Sequence, residues 1–139
     1  MTTELNLKTI FKEMTEYIET LNKMAENSIT DIQLPSSPGV YLIYLEGCLK
    51  YIGSSKNIAQ RINTNLLNGN KDSHTLINKL IKVKKMYNYY VKTYLRESNI
   101  KFVETKDVYS AKMLEDILIA IHKPEYNKTL NELVQTKSS

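Results

Sequence analysis

The sequence predicts a small α+β domain, a three-stranded antiparallel sheet flanked by helices, with an N-terminal amphipathic helix and a helical insertion. Three observations carry that expectation. Apolar residues recur at intervals of three and four over residues 7–24, the pattern of one buried helix face. The period then switches to β-branched and aromatic runs over residues 40–52, and a helical period returns in the stretch that ends before Pro124.

The first stripe is Leu7, Ile10, Phe11, Met14, Ile18, Leu21 and Met24, fit for a core or for a partner helix. Its opposite face is acidic. The polar run Glu26–Asp31 and the cluster Pro35–Gly39 break the pattern. Val40–Leu45 and Leu49–Ile52 read as strands joined by a hairpin turn at Glu46-Gly47. Gly53–Asn57 leads into a helix with Ile58, Arg61, Ile62 and Leu66, where Gly53 serves the strand-to-helix turn. After the polar loop 68–73, a helix begins near Ser73 and carries Leu76, Ile77, Leu80, Ile81 and Val83. Met86–Arg96, with four tyrosines, fits either helix or strand. Ile100–Thr105 alternates as the third strand, and Asp107 caps a last helix. The expected organisation is an N-terminal extension over 1–34, a domain over 35–130 with its insertion near 67–98, and a tail over 131–139.

The 139 residues suffice for one domain, and a mean hydropathy of -0.38 suits a soluble one. No apolar run spans a bilayer, the start lacks the order of a signal peptide, and Cys48 alone excludes a disulfide framework. A reducing cytoplasm is the expected compartment. Formal charge is +4 but unevenly spread: residues 79–106 hold eight Lys/Arg against Glu97 and Glu104, a local +6. That stretch reads either as a solvated helical face or as a surface facing a polyanion.

On a helical wheel Glu115 shares a face, within about 60 degrees, with Val108, Ala111, Leu118, Ile119 and His122. An unpaired carboxylate there is costly, so Glu115 has either a buried partner or a ligand.

Gly39-Val40-Tyr41, then Tyr51-Ile52-Gly53 ten residues on from Tyr41, then Arg61 another ten on, resemble the GIY-YIG nuclease family. Glu115 and the later Pro124-Glu125-Tyr126-Asn127 resemble that family's closing Glu and Asn. The resemblance implies the small antiparallel sheet with helices and hydrolysis of a DNA phosphodiester with one divalent cation, Mg²⁺ or alternatively Mn²⁺. It implies that Tyr41 helps activate the attacking water, with Tyr51 as the second tyrosine of the site. Arg61 neutralises the phosphate, Glu115 holds the metal and Asn127 supports the site. Chemistry agrees, since a lone carboxylate suits Mg²⁺ and a guanidinium offers a fixed fork of donors to phosphate oxygens. A phenol with a pKa of about 10 needs cationic neighbours to serve as a base; otherwise it only orients the water.

Two positions depart from the pattern or extend it. Asn65 stands one turn after Arg61, where many members carry His or Tyr, and leaves open a decayed nucleic-acid-binding module. His74, 13 residues after Arg61, is either an accessory site residue or a helix-start residue without a role. Lys56, Arg61, Asn65, Lys82, Lys85, Lys92 and Arg96 are the expected DNA contacts, joined in the basic stretch by Lys79 and Lys84. Duplex is expected ahead of single-stranded DNA, with no membrane partner and a homo-oligomer through the first helix. The expected type is a compact stand-alone nuclease of a phage, mobile element or restriction system.

Overall fold

The structure, a computed structural model, describes residues 3–128, and side chains from residue 6 onward. The expected tail 131–139 lies outside them. Helix α1 runs over Thr3–Lys23, and strands β1 (Asn27–Ser28), β2 (Gly39–Leu45) and β3 (Cys48–Ser55) follow. Helix α2 is α-helical over Ile58–Gln60 and continues π-helical over Arg61–Leu66. Helices α3 (Thr75–Lys82) and α4 (Asn88–Arg96), strand β4 (Asn99–Glu104), helix α5 (Val108–His122) and a 3-10 turn at Glu125–Asn127 complete the order.

The antiparallel sheet has four strands in the order β1-β4-β2-β3, not three. The extra strand is two residues long and falls inside Glu26–Asp31, too short for any hydrophobic alternation to betray it. Glu46 and Gly47 both take positive φ, 54° and 80°, as a tight turn matched to strand twist requires. β3 is three residues longer at its end than expected: Gly53, Ser54 and Ser55 stay paired with β2 instead of forming a turn. Lys50 is the extra residue of a bulge, since Ile43 faces Tyr51 while Tyr44 faces Leu49. Met86–Arg96 resolves as helix, because Val91 and Leu95 sit four apart and both are buried.

Each face of the sheet has its own core. Tyr41, Ile43, Leu45 and Tyr51 pack with α2, α3 and α4 on one side. Val40, Leu42, Ile52 and Val103 pack with Met14 and Leu21 of α1 and with α5 on the other. The stripe on α1 is used except near its start: Ile10 and Ile18 also pack against this core, while Leu7 and Phe11 remain exposed. The buried line of α5 is Ala111, Leu114 and Leu118, one step round from the face the wheel suggests. Glu115 sits at its border, while Val108 and His122 are exposed. Tyr109 is 81% exposed.

Candidate active site

The site is built around β3, one of the two edge strands of the sheet. In the hairpin register Tyr41 lies opposite Gly53 and Ile43 opposite Tyr51, so both tyrosines project to the same face. Their ring centroids are 6.3 Å apart. Gly53 makes this possible, because a Cβ there would overlap Cζ and Oη of Tyr41. The glycine thus serves a ring lying across the strand, not a turn.

Behind Tyr41 stands His74, only 2% exposed, with Nε2 at 2.9 Å from the phenol oxygen. Nδ1 of the same ring caps α3 by accepting the Leu76 N–H at 3.0 Å. An accepting Nδ1 carries no proton, so in the neutral ring the proton is on Nε2 and is donated to Tyr41. Burial above all, and then the Arg61 charge, lowers the pKa of His74 to about 3, which keeps the ring neutral. Tyr51 completes the cluster edge-on to His74 at 5.5 Å.

Arg61 opens the π-helical turn, a geometry that recurs at functional sites. Its Nη1 donates to the Ser73 carbonyl at 2.9 Å, which ties it to the loop before α3. An open cleft of about 380 Å³ lies there, lined by Arg61, Ser73, His74, Thr75 and Asn78 among others. Asn65 is half-buried on the same turn, and its carbonyl accepts from the Ser73 hydroxyl at 2.8 Å.

Glu115 reaches the edge of β3 from the other side of the sheet. Its Oε1 accepts from Ser54 Oγ and from Lys112 Nζ, each at 3.0 Å. Oε2 has no partner among the described residues, and the side chain is 13% exposed. Neither Ser54 nor Lys112 was expected here, although the i, i+3 spacing of Lys112 and Glu115 is a readable pairing signal. His122 takes no part in the site. Burial, Tyr51 and Glu115 push the Tyr41 pKa well above the ordinary phenol value, against a smaller lowering by Arg61. Burial also raises Tyr51, again opposed by Arg61. Asn127 is spent on the backbone: its Oδ1 accepts from Ile52 N–H and its Nδ2 donates to Ile52 C=O, both at 2.8 Å. It pins β3 and does not enter the cleft chemistry.

The expected DNA contacts divide. Lys56, Lys82, Lys85 and Lys92 are exposed. Arg96 is also exposed, yet its Nη2 binds the Leu67 carbonyl and Asn68 Oδ1, clamping α4 to the end of α2. Lys79 donates to the carbonyls of Tyr126 and Lys128, and Lys84 pairs with Glu125 at 3.4 Å. Internal bonding thus occupies three of the six cations that the basic stretch offered between 79 and 96.

An antiparallel hairpin that sets Gly39–Tyr41 against Tyr51–Gly53, with Glu115 closing on its free edge, marks the chain as carrying a GIY-YIG domain. Its relatives include the UvrABC system protein C of Protochlamydia amoebophila, 33% identical over 102 residues that make up 70% of this chain and 14% of that protein. The UvrABC system protein C of Treponema denticola is 29% identical over 116 residues, 83% of this chain and 15% of that protein. The chain thus spans about one seventh of the length of these relatives. Among solved structures, the GIY-YIG N-terminal endonuclease domain of UvrC from Thermotoga maritima, bound to magnesium as its catalytic divalent cation, superimposes with a TM-score of 0.42. It is 23% identical, and the match covers 79% of this chain and 98% of that domain. No family model matches the chain.

Proposed function

We propose that the chain is a metal-dependent endonuclease that hydrolyses a DNA phosphodiester in the cleft beside Arg61. The observation that carries this reading is the convergence on one strand edge of a partly exposed carboxylate, Glu115, and a Tyr41–His74–Tyr51 cluster facing Arg61. The residues fit a divalent cation: Glu115 is a hard oxygen donor with Oε2 unengaged, and Mg²⁺ takes one or two carboxylates and fills its remaining positions with water and phosphate oxygens. Bound there, Mg²⁺ or Mn²⁺ supplies positive charge for the phosphate and the leaving oxygen.

The chain's own residues do the rest. Arg61, held by Ser73, presents its remaining donors to the non-bridging oxygens. Losing such a donor costs about 3–4 kcal/mol of barrier. Tyr41 stays protonated, because burial outweighs Arg61, so it orients and does not abstract. Almost wholly buried and receiving a hydrogen bond from His74, it acts from behind the cleft by fixing His74 and the residues around Arg61. Asn127 holds the edge strand in place.

Duplex DNA is the proposed substrate, with Lys56, Lys82, Lys85 and Lys92 on the backbone and Asn65 beside Arg61. If the three exposed lysines of the basic stretch each neutralise one phosphate, they contribute a salt slope of about −3, against about −5 for all six cations. Folding of this compact unit by itself is part of the proposal, supported by a core on each face of the sheet. Pairing of two copies through α1 is supported by exposed Leu7 and Phe11, and sedimentation of the purified chain tests it.

A second reading, a binding module without turnover, draws on one observation: neither Tyr41 nor His74 titrates near neutral pH, so neither is a base. Plasmid nicking separates the two. The purified chain is expected to cut with Mg²⁺ or Mn²⁺, and Glu115→Ala to abolish cutting. Salt-sensitive binding with no cutting under either metal overturns the nuclease reading, as does a Glu115→Ala variant that cuts like the wild type.

A further inference from the structure

Helix α4 turns Val91 and Leu95 into the core and leaves aromatic rings outside. Tyr87 is 73% exposed and Tyr89 78%, yet their rings already lie nearly parallel, 5.8 Å apart with 14° between planes. Tyr90 and Tyr94 form a second stack at 6.3 Å, and Tyr94, half-buried beside Glu46, anchors it. Packing does not account for rings held in register on the water side of a helix. Exposed apolar surface rimmed by polar groups marks an interaction site.

Charge selects the occupant. Residues 79–96 contain six Lys/Arg and no acidic residue, and Lys82, Lys85 and Lys92, within a few positions of the tyrosines in the chain, are exposed. Flat uncharged ligands on a polyanionic backbone are what such a surface accepts, and every nucleobase has a face to stack. Rings already held nearly parallel also lose less freedom on binding.

The cleft geometry supplies the connection. A second groove, about 460 Å³, is lined by Asn70, Lys71, Asp72, Ile81 and Asn88. It shares Lys71 and Asp72 with the cleft beside Arg61 and His74. Asn88, the first residue of α4, stands between Tyr87 and Tyr89 in the chain.

We propose that Tyr87 and Tyr89, flanked by Lys85 and Lys92, form a stacking platform for unpaired DNA bases. The chain then takes a substrate that carries a single-stranded segment next to the bond placed at Arg61. The inference rests on the reading of DNA as the ligand, and it adds which part of the DNA is read, and by what.

Equilibrium binding without divalent metal tests it, with labelled oligothymidylate of about 12 nucleotides and an abasic strand of equal length. The wild type is expected to prefer the base-bearing strand by tenfold or more. Tyr87→Ala/Tyr89→Ala is expected to lose that preference while binding the abasic strand as before. Lys82→Ala/Lys85→Ala/Lys92→Ala is expected to weaken both strands alike. Should the wild type cut plasmid yet bind both strands equally, or should the tyrosine variant keep the preference, the platform falls and the nuclease reading stands. Should the wild type bind neither strand and cut no DNA, both fall.

Discussion

The hydroxyl of Tyr41 and Nε2 of His74 meet at 2.9 Å although 33 positions separate them in the chain. One imidazole therefore does two jobs, starting α3 through Nδ1 and holding the phenol through Nε2. The helix that follows the loop and the tyrosine on the central strand are fixed to one another by a single neutral ring.

That neutrality has a pH signature. His74 has a folded pKa of about 3 against 6.5 for the free side chain. Above pH 6.5 both folded and unfolded chains hold it neutral, and its contribution to stability is fully present. As pH falls below 6.5 the unfolded chain takes up a proton that the folded chain refuses. Stability then declines by about 1.4 kcal/mol per pH unit, until the folded ring protonates near pH 3. His74→Asn keeps a cap acceptor and drops both the titration and the bond to Tyr41. Chemical denaturation between pH 7 and 5 is expected to show the slope in the wild type and not in the variant. DNA cutting at pH 7.5 is expected to fall roughly tenfold, the worth of one well-placed hydrogen bond. An identical slope in the two proteins defeats the assignment.

Gly53 is the second position where one atom decides the outcome. A methyl group there collides with the end of the Tyr41 ring, which is itself buried and bonded to His74. Overpacking of this kind costs about 1–3 kcal/mol. Gly53→Ala is expected to lower the melting temperature, and the bulkier Gly53→Val to lower it further, because the ring atoms it meets belong to a buried, hydrogen-bonded tyrosine. Melting curves of the two variants check this; a Gly53→Ala protein as stable as the wild type refutes it.

Much of this site is written in the sequence because strands and tight turns impose fixed periods. The strands that carry Tyr41 and Tyr51 and the Glu46-Gly47 turn between them follow from β-branched and aromatic runs and turn chemistry. The tyrosines' place in a site follows only from the family resemblance, and Asp107 caps α5 as its residue type prescribes. What was not legible depends on contacts between distant segments. Two-residue β1 has no period, and its place at the sheet edge is set by pairing with β4. The true apolar line of α5 is chosen by the sheet it rests on, which is why Glu115 lies at its border and not its centre. Ser54 looked like a loop residue because nothing local shows that β3 continues past Gly53. The cations of α3 and α4 are alike in sequence, and only folding distinguishes Lys79, half-buried and bonded to carbonyls, from Lys82 in water.

Asn127 carries a prediction about the edge strand. Its amide satisfies both the N–H and the C=O of Ile52 on the open side of β3. Asn127→Ala leaves both groups to water, and Asn127→Asp keeps the acceptor but sets a negative oxygen against the carbonyl. A loss of about 1–3 kcal/mol is expected for either, with the Asp variant no better than the Ala. Amide hydrogen exchange at Ile52 is expected to accelerate in Asn127→Ala more than at Leu42, which lies opposite Lys101 and keeps its pairing with β4. Unchanged exchange at Ile52 contradicts the role.

Lys112 offers a test of the metal assignment that leaves the proposed ligand untouched. Its ammonium sits 3.0 Å from Glu115 Oε1 and 3.4 Å from Asp116, while the lysine itself is 67% exposed. An exposed pair of this kind stabilises the fold by no more than about 1 kcal/mol, so Lys112→Ala is expected to melt within about 4 °C of the wild type. The same ammonium competes with any cation that approaches the carboxylate. Removing it is expected to lower the Mg²⁺ concentration for half-maximal cutting by a few-fold, with the maximal rate retained. Lys112→Glu, which adds a carboxylate beside Glu115, is expected to shift that midpoint further in the same direction. A metal titration of cutting by the three proteins measures the order directly. Coincident midpoints mean that the cation is held away from Glu115.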